Sequence, residues 1–118
     1  MLPNIVSDTV NDRGSIDPKK IADILGITLA ELARLVSVSR NTLNAEKPGP
    51  RATAALTPLL KILAMASEMS GSEQRAVAWF KFNPILSMGS KTPMEHVQHG
   101  NAETVLIHLE DVLNGVYA

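Results

Sequence analysis

Cysteine is absent from this chain, so neither a disulfide framework nor a thiolate metal site can form. Aromatic side chains are scarce: Trp79, Phe80, Phe82 and Tyr117 are the four among 118 residues. The core must therefore be built from Leu, Ile, Val, Ala and Met, and a chain led by Ala and Leu favours helices over sheets. No apolar run is long enough to span a bilayer. Strand-like alternation, internal repeats, low-complexity segments and glycine-rich phosphate loops are missing as well. The opening MLPNIVSDTVNDRG turns polar after six residues and has no signal-peptide core. The expectation is a soluble, cytoplasmic, all-α protein that engages no membrane.

Charge of either sign is also not in surplus. The net charge is −1, which is not the footprint of a strong nucleic-acid binder. The distribution says more. Residues 34–51 hold Arg34, Arg40, Lys47 and Arg51 against one acid, Glu46. One copy with so little positive charge binds DNA weakly, because phosphate neutralisation supplies most of the affinity. A DNA role then requires two or more copies.

What is present reads as a series of short helices. Residues 1–15 show no sustained period and are expected to form a flexible arm. Asp17 caps a first helix, with Pro18 at its first position and Gly26 just past its end. Thr28 opens a second helix through a capping box with Glu31, and Leu29, Leu32, Ala33 and Val36 form its apolar stripe. Ser39 caps a third, from 40 to about 45. KPGPRA, residues 47–52, is a break, and Thr57-Pro58 reads as the start of a helix running to Met69, with Leu56 in a preceding turn. Ser72 caps the next, to about Phe80. Thr92-Pro93 starts a short helix closed by Gly100. Asn101 caps the last, 102–113, which points Val105, Leu109, Val112 and Leu113 at the core.

TLAELARLVSVSRNTL, residues 28–43, has the spacing of a helix-turn-helix. Ala33 is small where the second helix crosses, and Val38 fills the apolar turn position. Ser37 stands where glycine is common, because the turn needs φ > 0. Ser39, Arg40, Asn41 and Thr42 would lie at the start of the recognition helix. Arg suits guanine, Asn suits adenine, and Ser and Thr suit phosphate.

Other candidates are weaker. His96 and His99 share a helical spacing, but no HExxH order accompanies them, so no metal is expected. Glu110-Asp111 reads as a solvated helix face. Ser37, Ser39 and Ser87 have no visible base partner, so neither an enzyme nor a cofactor is expected. Trp79 reads as core beside Ala76 and Phe80. Met65, Met69, Met88 and Met94 read as fillers of irregular gaps.

The C-terminal stretch carries Trp79, Asn83-Pro84, Leu86, Gly89, Thr92-Pro93, Gly100, Val105, Leu109 and a closing Gly115-Val116-Tyr117-Ala118, in that order. As an ensemble this resembles the toxin-binding domain of the Xre/MbcA/ParS antitoxins, the partners of RES-domain toxins. With the Xre-like helix-turn-helix in front, the resemblance covers about residues 16–118. Met88 stands where the family often has glycine, and His96-Val97 where two apolar residues are common. The resemblance implies an arm at 1–15, a DNA-binding region at 16–56 and a helical toxin-binding region at 57–118. It implies a cognate RES-type, NAD-consuming toxin as partner, together with operator DNA and a homodimer or larger toxin–antitoxin assembly. Asn114, Gly115, Val116, Tyr117 and Ala118 would block the toxin's pocket, with the last helix and loop 89–93 as the supporting surface. A tyrosine beyond a helix end suits an interface anchor. The alternative is a stand-alone helix-turn-helix regulator whose C-terminal region only dimerises.

Overall fold

The structure, a computed structural model, describes residues 6, 9–10, 15–44 and 49–115. Among them the chain is all-α, with no strand beyond two isolated bridges, Val10 to Ile16 and Ile85 to Lys91. The helices are α1 (Pro18–Leu25), α2 (Leu29–Leu35), α3 (Arg40–Leu43), α4 (Pro50–Ser70), α5 (Glu73–Phe82), α6 (Pro93–Gln98) and α7 (Ala102–Leu113). A 3₁₀ turn, Leu86–Met88, links α5 to α6.

Local signals account for most boundaries. The Asp17 carboxylate accepts from the Lys19 N–H, satisfying one free donor at the start of α1. α1 ends where Gly26 takes φ 67 and the Ile27 N–H reaches back to the Ala22 carbonyl. Thr28 with Glu31, and Thr92 with Glu95, close complete capping boxes on α2 and α6. Ser72 caps α5 by accepting from the Arg75 N–H. Asn101 occupies the N-cap position of α7, but its side chain makes no capping bond.

α4 departs from expectation. It begins at Pro50 and runs for 21 residues, so Thr57-Pro58 is not a helix start and fully buried Leu56 belongs to no turn. Proline in a helix interior removes one backbone bond. Here Pro58 would have bonded the carbonyl of Ala54, which lies on the exposed face, where water can take over. The Thr57 hydroxyl donates to the Thr53 carbonyl at 2.7 Å. Gly49 and Pro50 supply the actual start, a proline at the first helical position. The expected boundary between residues 56 and 57 thus falls within one helix.

One core joins everything. Ile21 and Leu25 of α1, Leu32 and Leu35 of α2, and Leu43 of α3 belong to the same buried cluster as Leu56, Leu63, Phe80, Val97 and Val105. α4 packs against both α5 and α7. The described residues of the lead-in pack too: Thr9 is buried, its carbonyl accepts from the Asp17 N–H at 2.7 Å, and Ile16 enters the core. For those residues the expectation of a free arm is corrected; the remainder of 1–15 lies outside the described residues. Among the described residues no helix is long and apolar enough to cross a membrane.

Candidate nucleic-acid and partner surfaces

α2, a turn and α3 form the expected helix-turn-helix arrangement. Its turn runs through Val36 and Ser37, and Ser37 adopts φ 60, the left-handed conformation anticipated for this position. The Val38 N–H bonds the Ala33 carbonyl at 3.0 Å, and the Val38 side chain packs on the core. Ala33 and Leu43 are both buried, holding α3 across α2. The four residues assigned to DNA divide into two kinds. Ser39 Oγ accepts from the Thr42 N–H at 3.1 Å and lies 2.8 Å from Thr42 Oγ1, so these two hydroxyls engage each other as the cap of α3. Arg40 and Asn41 are exposed. Residues 45–48, including Lys47, lie outside the described residues.

Lys81 connects this half to the other. Its Nζ donates to the Leu25 carbonyl at 2.8 Å, at the C-terminus of α1, where a cation complements the helix dipole. The same ammonium sits 5.4 Å from the centroid of the Phe82 ring.

Loop 89–93 is tightly tied. The Ile85 N–H bonds the Lys91 carbonyl at 2.9 Å, and the Met88 and Ser90 N–H groups both donate to the Ile85 carbonyl. Gly89 and Ser90 are both left-handed, at φ 76 and 59. Buried His96 places Nε2 2.9 Å from the Met88 carbonyl, fastening α6 to the 3₁₀ turn. Met88 and His96, the two departures from the antitoxin pattern, therefore meet each other. The contact uses the Met88 backbone carbonyl rather than its side chain. The Thr92 N–H and hydroxyl bonds hold the Glu95 carboxyl below the ordinary glutamate range, and the Thr28 bonds do the same for Glu31.

α7 ends at Leu113, with the Asn114 and Gly115 N–H groups bonded to Glu110 and Val112 carbonyls and Gly115 at φ 77. Asn114 and Gly115 are exposed. Val116, Tyr117 and Ala118 lie outside the described residues. Val105 and Leu109 face the core as expected, but Val112 and Leu113 do not: Leu113 is 62% exposed. The helix outruns its packing partner, so its last turn carries apolar side chains into solvent. Beside it, Trp79 is only half-buried and, with Met69, His108, Leu109 and Val112, lines an open apolar cavity of about 230 Å³.

Among the exposed apolar residues that escaped the sequence reading as surface features, Phe82 and Leu86 are the most exposed, at 71% and 83%. For Phe82 a signal existed: it lies about 200° around α5 from buried Phe80, on the opposite face. Leu86 sits in a 3₁₀ turn, where no period is available to place it.

No family model matches the chain, and neither a curated protein nor a solved structure does. Among the described residues no group of three or more His, Asp or Glu side chains is placed to hold a metal ion.

Proposed function

We propose that this chain is the antitoxin of a type II toxin–antitoxin pair. The last turn of α7 and residues 114–118 bind a RES-type, NAD-consuming toxin and occupy the pocket its substrate needs. Arg40 and Asn41 read operator DNA and repress the operon. The observation that carries this reading is the end of α7: the ordered C-terminal motif leads into a helix turn whose apolar side chains, Val112 and Leu113, face solvent directly before the tail. Exposed apolar side chains grouped at one end of an element suit a partner surface. The protein acts in the cytoplasm and as a dimer, because a single weakly basic helix-turn-helix covers one half-site. It needs no cofactor and catalyses nothing itself.

Co-expression with the protein of the adjacent reading frame tests the pairing. Growth and NAD level recover with this chain and collapse without it. If the neighbour is harmless, the stand-alone regulator reading takes its place. Operator binding is tested separately by replacing Arg40 and Asn41 with alanine in a gel-shift assay. Each lost base contact weakens binding by about 1–3 kcal/mol. Unchanged binding by both variants removes the DNA-reading role.

A further inference from the structure

A groove of about 600 Å³ runs between α4 and α7 on the side away from the Trp79 cavity. Its α4 wall presents Thr57, Leu60, Ala64 and Glu68; its α7 wall presents Glu103, Leu106, Glu110 and Leu113. Both sets recur at helical spacing, so each is one continuous face. At the helical rise per residue the walls extend about 17 and about 15 Å, a match for an occupant of about three helical turns. Val6, Val10 and Ile16 of the lead-in line it as well.

The floor is apolar and the rim is acidic. Leu60 and Leu106 lie at the bottom, nearly buried, whereas Glu68, Glu103 and Glu110 are exposed along the edges. Lys61 is the one cation in the lining. We infer that this groove is a docking site for a basic amphipathic helix of a partner protein, whose apolar stripe lies on Leu60, Ala64 and Leu106 and whose Lys or Arg side chains reach the three glutamates.

Charge selects this occupant over two others. A second copy presenting the same face would bring three glutamates against three, and like charges across an interface oppose association. The chain's own first fourteen residues carry Asp8 and Asp12 against Arg13, so their side chains do not complement the rim. The groove shares Leu113 with the last turn of α7 assigned to the toxin, but the rest of its lining is distinct from the cavity formed by Trp79 and Val112.

The test uses the full chain and a synthetic peptide of about four helical turns, with leucines along one face and lysines flanking them. Binding is followed by fluorescence anisotropy. The lysine peptide is expected to bind and to weaken as salt is raised, because the rim contacts are solvent-exposed. A control peptide with glutamates in place of the lysines is expected not to bind. Glu68→Lys, Glu103→Lys and Glu110→Lys together cost about tenfold in affinity, because exposed pairs each contribute little. Ala64→Trp fills the groove and abolishes binding, with helical circular dichroism retained as the check on folding. Equal binding of both peptides, or of wild type and Ala64→Trp, overturns the proposal. So does binding that appears only when Leu2 and Ile5 are both replaced by serine, which assigns the groove to the chain's own N-terminus. A shift in oligomeric state on Ala64→Trp without peptide binding to wild type assigns it to a second copy and overturns the proposal too.

Discussion

Ser37 shows how one residue carries both fold and constraint. The turn between α2 and α3 needs a left-handed residue, and serine meets it at φ 60 without glycine's freedom. Glycine at this exposed position relieves that strain, partly offset by the greater entropy it loses on folding. Ser37→Gly is expected to stabilise the protein by about 0.5–1 kcal/mol, read as a higher urea midpoint at unchanged m. A lower midpoint would mean that the serine side chain contributes more than its backbone costs. Residue-scale reading of the sequence succeeded at most positions where a single side chain decides a local bond, Asn101 excepted. Asp17, Thr28, Ser39, Ser72 and Thr92 all cap as their identity dictates. It failed where the side chain's partner is distant. Nothing adjacent to Lys81 in sequence indicates that its ammonium bonds the carbonyl of Leu25, 56 positions away. Likewise Ser39 and Thr42 each suit phosphate when read separately, but together they satisfy each other.

At the scale of the element, the two capping boxes give the fold an acid-sensitive component. Glu31 and Glu95 have carboxyls held below the ordinary glutamate range, first by hydrogen bonds from the Thr28 and Thr92 backbone. A folded-state pKa below the unfolded one stabilises the protein above the ordinary range, and that contribution is lost as pH falls through the folded value. Urea unfolding from neutral pH downward is therefore expected to show the parent more stable than Glu31→Gln with Glu95→Gln at neutral pH, with the gap narrowing as pH drops. A gap independent of pH would contradict the role of the ionised carboxylates. Helix starts marked by a side chain were legible, and α4 shows the limit. Thr57-Pro58 carries the signature of a helix start, yet Ala52, Leu56, Leu59, Leu60 and Leu63 bury one continuous face through it. Burial of that face outweighs the roughly 3 kcal/mol that an internal proline costs. The opposite error occurred in α7, where the helical period continued past the last residue with anything to pack on. Val112 and Leu113 were read as core, and they are surface.

For the molecule as a whole, the shared core has a thermodynamic consequence. Phe80 of α5 is fully buried in the cluster that also holds Leu25, Leu32 and Leu43 of the helix-turn-helix half. Phe80→Ala is expected to destabilise by about 3–5 kcal/mol and to lower unfolding of both halves together in one transition. Separate transitions, with the N-terminal half unaffected, would show that the halves fold independently. The all-α class followed from composition, since few aromatics and many Ala and Leu leave little else. The way the halves share α4 did not follow, because a boundary drawn from punctuation in the sequence takes no account of long-range packing. The acidic groove between α4 and α7 was invisible for the same reason.

The most direct test of the antitoxin reading compares the full chain with one ending at Leu113, each co-expressed with the neighbouring protein and scored for growth and NAD level. Truncation leaves the buried core residues of α7 in place, so folding is retained. Rescue by the full chain and failure by the shortened one is the predicted result, with residues 114–118 as the inhibitory element. Equal rescue by both would contradict it and move inhibition onto the helical surface.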